Sequence, residues 1–505
     1  MRLFRSRSSP AEGGDTIARN TASALAVQLT TASFTAVLTI YLVRALGPPG
    51  YGVFALAVGL GSLLTLPSDF GISSSTARFV AEHRGDRRVV AALVGDAFRL
   101  KLVIALVVCA GLFAGADLIA SAYDNPSLAW PLKGVAVALF GQNLMMLFAG
   151  TFVALRSISV NLRVVFSESA IEAVVSIGLV LLGGGAAGAA FGRATGYVFG
   201  GLVAVFLGAR LLGRPALGFG HGSSGHLRQL AGYASALLIV DGAFTMFKQV
   251  DVVLIGFLLS STAVGLFEAP MRFVTFLHYP GYAVANGVAP RVARSAAGAP
   301  EMSTFAATLR YLVILQAAMV APIVVWADPI VDLILGAGYE ESAEVLRALA
   351  PFVFLLGLAP LVSLSVNYLG EAKRRIPIAV AAVVINLAID LVLIPRIGIV
   401  GGAIGTDVAY ALYVPAHLWI CKRMLDLELR PVGLAFLRSM IAAGGMGAVL
   451  AAMGTESLSP IEWIAGAFGG ALAFALLIVV TGEVTRQELA VARAALARRL
   501  RSSSA

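Results

Sequence analysis

Charge is scarce in this chain, and so are cysteine and tryptophan. Asp, Glu, Lys and Arg make up 13% of its 505 residues, about half of the roughly 25% carried by a soluble domain. Its two cysteines, Cys109 and Cys421, both fall inside apolar runs, which argues against a disulfide or a metal site. Five histidines show no metal-ligand spacing. No nucleotide-binding loop, zinc ligand set or nucleophile triad stands in the sequence, so no cofactor and no metal are expected. Alternation of apolar with polar residues is missing too, which excludes a lipid-facing barrel. What the chain has instead is apolar length: it is 59% hydrophobic, with a mean hydropathy of +0.88.

Crossing about 30 Å of hydrocarbon takes about 20 apolar residues as a helix, and a lipid-exposed backbone must satisfy its own hydrogen bonds. Reading such stretches gives fourteen spans, near 21–43, 52–71, 98–122, 131–155, 166–185, 188–212, 231–258, 264–289, 306–327, 346–369, 377–394, 401–421, 437–453 and 460–481. The fold class is therefore all-α, a polytopic membrane protein of about 14 transmembrane helices. With the N-terminus cytoplasmic, 30 of the 37 Lys and Arg fall in cytoplasmic segments or at their helix ends. Only Arg44, Lys133, Arg347 and Arg396 fall outside, and Arg193, Lys248 and Arg272 lie within spans. This is a positive-inside partition with both termini cytoplasmic. It also accounts for the net charge of +9 without nucleic acid, through topology and contact with anionic membrane lipids.

A block near residue 190 recurs 213 positions later. Gly185, Gly188, Ala190, Gly192 and Tyr197 fall on Gly398, Gly401, Ala403, Gly405 and Tyr410. Ser23-Ala24-Leu25 with Gly52-Val53-Phe54 recur at nearly the same offset as Ser235-Ala236-Leu237 with Gly265-Leu266-Phe267. The period is too long for a solenoid and points to two homologous halves. Six spans in each half give them one orientation, with a pseudo-two-fold axis along the membrane normal. The expected organisation is an N-terminal lobe over 1–213 (helices 1–6), a Gly/Ser-rich cytoplasmic linker over 214–230, and a C-terminal lobe over 231–424 (helices 7–12). Residues 425–505 then hold helices 13 and 14 and a basic tail. Stretches 75–95 and 483–501 are basic and amphipathic, suited to the cytoplasmic interface. Pro270, Pro280 and Pro290 mark helix 8 and its end, and Pro351 and Pro360 sit in helix 10, each removing a backbone hydrogen bond.

Ionisable side chains within spans are costly and are functional candidates. Helix 7 holds Asp241, Lys248 and Asp251; helix 8 holds Glu268 and Arg272; helix 6 holds Arg193; helix 5 holds Glu168 and Glu172 one turn apart; Asp390 and Asp407 lie in helices 11 and 12. The direction of each helix puts Arg193, Lys248, Arg272 and Asp251 in the outer half of the bilayer. Three cations at similar depth suggest a cavity for an anionic group, and Arg and Lys suit phosphate. Against this, Glu268 and Arg272 are spaced to neutralise each other, Lys248 can pair with Asp251, and Arg193 can snorkel outward. Asp241, Asp251, Glu268, Glu168 and Glu172 are the candidates for coupling to Na⁺ or H⁺, although Glu168 and Glu172 also fit a helix-end role.

Several motifs carry a family resemblance. Leu46-Gly47-Pro48-Pro49-Gly50-Tyr51-Gly52-Val53-Phe54 looks like the LG-x-x-x-YG-x-F signature of polysaccharide exporters. Asp69-Phe70-Gly71 with Arg78-Phe79, Gln249-Val250-Asp251 with Val264-Gly265-Leu266-Phe267, and Leu335-Gly336 through Tyr339 continue the pattern. So do Asn386, Leu393-Ile394-Pro395 and Gly398 through Ala403. Residues 20 to about 425 thus resemble the polysaccharide transporters, of the superfamily that also holds multidrug and toxin extruders and lipid II flippases. The resemblance implies two six-helix lobes around a polar cavity in a bacterial cytoplasmic membrane. It also implies flipping of an undecaprenyl-pyrophosphate-linked oligosaccharide, with no enzymatic activity. Phe267 and Glu268 depart from the family, where many relatives have Tyr and an uncharged residue.

Two other readings are weighed against the flippase. A cation-coupled multidrug antiporter, or a lipid II flippase of the same fold, would share the architecture; an antiporter would need the intramembrane carboxylates and not the cations. An oligosaccharide polymerase or ligase would need a sizeable outer loop, and the longest here are only about fifteen to twenty residues.

Overall fold

The structure, a computed structural model, describes residues 10–218, 242, 245–292, 302–484 and 488. All regular structure among them is helical. The chain forms two compact units, Met1–Glu268 and Ala269–Ala505. The first holds α1 (Pro10–Asp69), α2 (Ile72–Glu82), α3 (Arg87–Ala122), α4 (Ala129–Ala154), α5 (Ile158–Leu181) and α6 (Gly185–Leu212). It also holds a helix α7 that includes residues 245–258, and the first half of α8 (Ser261–Phe276), whose second half belongs to the second unit. The second continues with α9 (Tyr279–Val288), α10 (Met302–Val325), α11 (Ala327–Ile334), α12 (Ser342–Ala348) and α13 (Ala350–Tyr368). It closes with α14 (Arg375–Ile397), α15 (Ile399–Leu425), α16 (Arg430–Met453) and α17 (Pro460–Val480).

Among the described residues, eleven helices are long and apolar enough to cross a bilayer. Their outward faces carry large apolar side chains at helical spacing, such as Ile461, Ile464, Phe468, Leu472 and Leu476 on α17. In water such stripes would aggregate, whereas in hydrocarbon they are the ordinary solvent face. The protein is a multi-pass membrane protein.

Two local features refine the expected spans. Those near 21–43 and 52–71 form one helical run, α1, broken only at Gly47 (φ 63°, ψ 176°). Pro48 and Pro49 follow directly. Neither donates a backbone hydrogen bond, so the first segment stops and the second restarts on its prolines. The span near 264–289 is split into α8 and α9 around Leu277-His278, because Pro280 has no N–H to continue the helix. Part of the span near 231–258 and most of the linker, residues 219–230, lie outside the described residues.

In the first unit, α2 buries Ile72 and Val80 with Val90, Leu93 and Val94 of α3, against Leu147, Phe148 and Phe152 of α4. The stretch 75–95 thus turns its apolar side into the helix bundle and exposes His83, Asp86, Arg87 and Arg88. Asp86 caps α3 by accepting from the N–H groups of Arg88 and Val89 (2.9 and 3.2 Å). In the second unit, α16 and α17 are tied to α10 at both ends. The Trp326 indole N–H donates to the carbonyls of Leu450 and Gly454 (3.1 and 3.0 Å). At the opposite end Glu483, 3% exposed, accepts from Arg310 (2.5 Å) and Arg438 (3.2 Å).

Candidate functional site

Helices α5 and α6 are joined by the short turn 182–184 and run antiparallel. Gly192, Gly196 and Gly200 stand four apart on α6 and present no side chain to α5. A Cβ at Gly192 would lie 2.3 Å from the Ser176 Cα, one at Gly196 2.5 Å from the Glu172 Cβ, and one at Gly200 2.6 Å from the Glu168 Cβ. Small residues at this spacing let helix backbones approach closely in a membrane. The same seam sets Ser176, Glu172 and Glu168 at the closest approach of the pair. Gly196→Ala is expected to destabilise the protein by roughly 1–3 kcal/mol, as over-packing does. Gly196→Leu should yield no monodisperse protein on size exclusion after extraction. Unchanged melting for both would show that α5 and α6 can part freely.

Into this seam Arg193 sends its guanidinium. Its Nη1 donates to the Glu172 Oε1 at 2.8 Å, and its Nη2 to the Tyr197 hydroxyl at 3.2 Å. The guanidinium carbon also lies 4.9 Å from the Tyr197 ring centroid. Glu168, one turn before Glu172, is 5% exposed and accepts from the Ser169 hydroxyl at 2.9 Å. Two carboxylates therefore share one guanidinium. One further positive charge, from a proton or a small cation, would bring the cluster to neutrality, which matters where charge is costly. Arg193 thus has a partner that its sequence neighbours do not reveal, and the Tyr197 hydroxyl is a member that side-chain charge alone could not signal.

A second buried ion pair lies in the same unit. Asp69 ends α1, and the chain turns through Phe70 and Gly71, both at positive φ (48° and 69°). The Asp69 carboxylate accepts from Lys101 of α3, which also donates to Ser73, and from the Ser73 hydroxyl at 2.5 Å. Lys101 is 0% exposed. Beside it, the Asn143 amide donates to the Ser68 hydroxyl at 2.9 Å. The Asp-Phe-Gly motif is therefore a turn pinned by a buried charge pair. Sequence reading groups Lys101 with the cytoplasmic cations. The available signal was its place at the very start of an apolar run, where a buried cation needs a partner.

The other candidates lie on α7 and α8. Lys248 is exposed, Asp251 and Glu268 are buried, and Arg272 is half-buried. Asp241 lies outside the described residues. In the second unit, Gly401 and Gly405 of α15 meet Leu393 and Asp390 of α14, as Gly188 and Gly192 meet Leu179 and Ser176 in the first. The glycines are 213 positions apart and their partners 214. Under Gly405, the Asn386 amide donates to Asp390 at 3.1 Å, with both side chains fully buried. Asp407 accepts from the Phe352 N–H at 2.8 Å, which satisfies a donor in the first turn of α13.

Comparison with known proteins agrees with this architecture. The family model described as polysaccharide biosynthesis protein matches residues 17–290, and the MatE model matches residues 237–392. The chain is 23% identical over 259 residues to the probable low-salt glycan biosynthesis flippase Agl15 of Haloferax volcanii, covering 50% of this chain and 54% of that protein. It therefore spans about half the length of that curated relative. Among solved structures, the lipid II flippase MurJ in an inward closed conformation superposes with a TM-score of 0.75 at 12% identity, covering 93% of this chain and 99% of that one. An inward-facing multidrug resistance MATE family transporter of the MOP superfamily superposes with a TM-score of 0.60 at 14% identity, over 78% of this chain and 95% of that one. At these identities the likeness concerns the fold.

Proposed function

As the chain belongs to the polysaccharide biosynthesis protein family, we propose that it flips an undecaprenyl-pyrophosphate-linked oligosaccharide across the bacterial cytoplasmic membrane, as a transporter and not an enzyme. The observation that carries this reading is the polar seam built twice into membrane-spanning helices, at Glu168, Glu172 and Arg193 in the first unit and at Asn386 and Asp390 in the second. Lipid tolerates such groups only where they serve transport or close packing. A sugar-bearing head group cannot cross hydrocarbon unaided, so the protein supplies a hydrated path while the polyprenyl tail stays in lipid.

Each group of ionisable candidates is given one role. Lys248 and Arg272 bind the pyrophosphate through charge-assisted hydrogen bonds. Arg193, already 2.8 Å from Glu172, balances the carboxylate cluster and takes part in coupling more than in head-group binding. Glu168 and Glu172, with Asp241, Asp251 and Glu268, exchange Na⁺ or H⁺ and so draw on a cation gradient. Both termini are cytoplasmic. In the first unit Arg84 donates to the Ala154 carbonyl and Arg87 to the Leu211 carbonyl, so the basic turns gather at one end, the end that faces the cytoplasm. The paired lobes over 1–213 and 231–424 alternate access about the linker.

Deleting the gene should trap the lipid-linked glycan in the cytoplasmic leaflet; unchanged glycan export in the deletion strain rules the function out. For the head-group contacts, each hydrogen bond to a charged group contributes roughly 1.5–3 kcal/mol. The Lys248→Gln, Arg272→Gln double variant should therefore export roughly a hundredfold less glycan or lower while inserting normally. Wild-type export from an inserted double variant removes both residues from the mechanism. A multidrug antiporter would show the reverse, with these two cations dispensable and the carboxylates essential.

A further inference from the structure

At the end of the first unit opposite its basic turns, the chain leaves a cavity of about 460 Å³, within the roughly 300–1,000 Å³ of small-molecule sites. Its walls come from the Pro48-Pro49 restart of α1, the turn between α3 and α4, the turn between α5 and α6, and the start of α8. No wall residue is ionisable. That excludes it as a seat for pyrophosphate, which calls for cations. The polar groups present are one amide and two hydroxyls, beside one indole ring: Asn125, Ser127, Ser261 and Trp130.

These groups are held in place. Asn125 Nδ2 donates to the Ser261 Oγ at 3.0 Å, and the Ser127 hydroxyl donates to the Asn125 Oδ1 at 2.5 Å. Capacity remains on each. The amide has a second N–H and a second lone pair, and the Ser261 hydroxyl accepts from Asn125 and keeps its own hydrogen for a ligand. The loop itself is anchored by Tyr123, whose ring meets Phe257 edge-on at 5.7 Å. Trp130 is 61% exposed yet not loose. Lys133 lies 5.0 Å over its ring and is fixed by both oxygens of Asp117 (3.0 and 2.9 Å), while Phe191 packs at 6.4 Å.

An uncharged pocket that offers an aromatic face together with fixed donors and acceptors has the chemistry of a sugar site. The C–H face of a pyranose packs on an electron-rich ring, and its hydroxyls need partners that both give and take hydrogen bonds. We propose that this cavity is a glycan subsite on the outer side of the first unit, where Trp130 stacks on a neutral sugar of the passenger and Asn125, Ser127 and Ser261 bind its hydroxyls. The proposal rests on the lipid-linked glycan reading above. It adds a place where the saccharide, not the pyrophosphate, is gripped during release.

The test uses the purified full chain in lipid nanodiscs and titration calorimetry. The probes are the oligosaccharide freed by mild acid from the lipid-linked glycan of deletion cells, inorganic pyrophosphate, and a polyprenyl phosphate without sugar. The wild type should bind the freed oligosaccharide. Trp130→Ala should weaken that binding roughly tenfold, as expected for loss of a stacked ring, and Asn125→Ala severalfold, while Trp130→Phe keeps most of it. Binding of pyrophosphate and polyprenyl phosphate should be equal in all four proteins. Equal oligosaccharide affinity in the wild type and Trp130→Ala overturns the subsite and leaves Trp130 an interfacial anchor only, with the flippase reading intact. A deletion strain that exports glycan normally and accumulates no lipid-linked glycan overturns the flippase reading and the subsite with it.

Discussion

Asp69→Asn is expected to cost the protein most of its recoverable folded fraction, and Asp69→Asn with Lys101→Met to restore it. Lys101 is 0% exposed, and its ammonium is balanced by the one carboxylate at the end of α1. Asparagine keeps an oxygen that can accept a hydrogen bond but removes the charge, so the single variant isolates the electrostatic term. Breaking a buried ion pair from one side costs about 3–5 kcal/mol, whereas replacing both partners by uncharged groups is often neutral. Against a total of about 5–15 kcal/mol, the single loss is large. Thermal melts followed by size exclusion measure it, and a difference of only a degree or two between Asp69→Asn and the wild type would contradict the account. Because the pair pins the Phe70-Gly71 turn and is remote from α5 and α6 in its hydrogen bonding, the double variant should also export glycan at near wild-type rate.

Much of the architecture is legible in the sequence, for a simple reason. Hydrocarbon demands long apolar helices, and a chain that must meet this demand advertises each one. The break at Gly47 is legible as well, since two prolines follow it. The division of the span near 264–289 is only half legible. Pro280 announces that a hydrogen bond is missing, but whether neighbouring helices bridge such a gap depends on packing that a single sequence does not display. The repeat offset of 213 is visible in α6 and α15, while the one-residue shift of their partner helices emerges only from which atoms face each glycine.

The site is legible as a set of expensive residues and illegible as a set of pairs. Glu168 and Glu172 stand four apart, so helical periodicity alone brings them together. Glu172 and Arg193 are 21 positions apart on facing helices, and no spacing rule relates them. Their meeting depends on the glycine seam, whose function shows only when Ser176, Glu172 and Glu168 are found opposite Gly192, Gly196 and Gly200. Lys101 fails differently. It stands near the start of an apolar run and so counts with the cytoplasmic cations, yet α3 begins at Arg87, which carries Lys101 about four turns into the helix. Helix starts are hard to locate where an amphipathic segment runs straight into a span.

Glu168→Gln should leave the fold intact and uncouple transport, the sharpest separation available at the α5–α6 seam. In the wild type two carboxylates face one guanidinium, so the cluster carries a surplus negative charge when all three groups are ionised. Removing Arg193 leaves two buried carboxylates without their cation. Arg193→Gln should therefore cost roughly 3 kcal/mol, the low end for a broken buried pair, because its side chain is still 26% exposed. Glu172→Gln, Arg193→Gln should regain most of that stability. Glu168→Gln instead removes the surplus charge while keeping the Arg193–Glu172 bond, so its melting temperature should match the wild type. With purified protein in vesicles and a fluorescent lipid-linked glycan, an imposed Na⁺ or pH gradient should speed flipping by the wild type roughly tenfold, within the range of typical coupling energies. Glu168→Gln should flip at one rate with or without the gradient. A Glu168→Gln protein that answers the gradient as the wild type does would dismiss this cluster as the coupling site and leave the glycine seam a packing device alone.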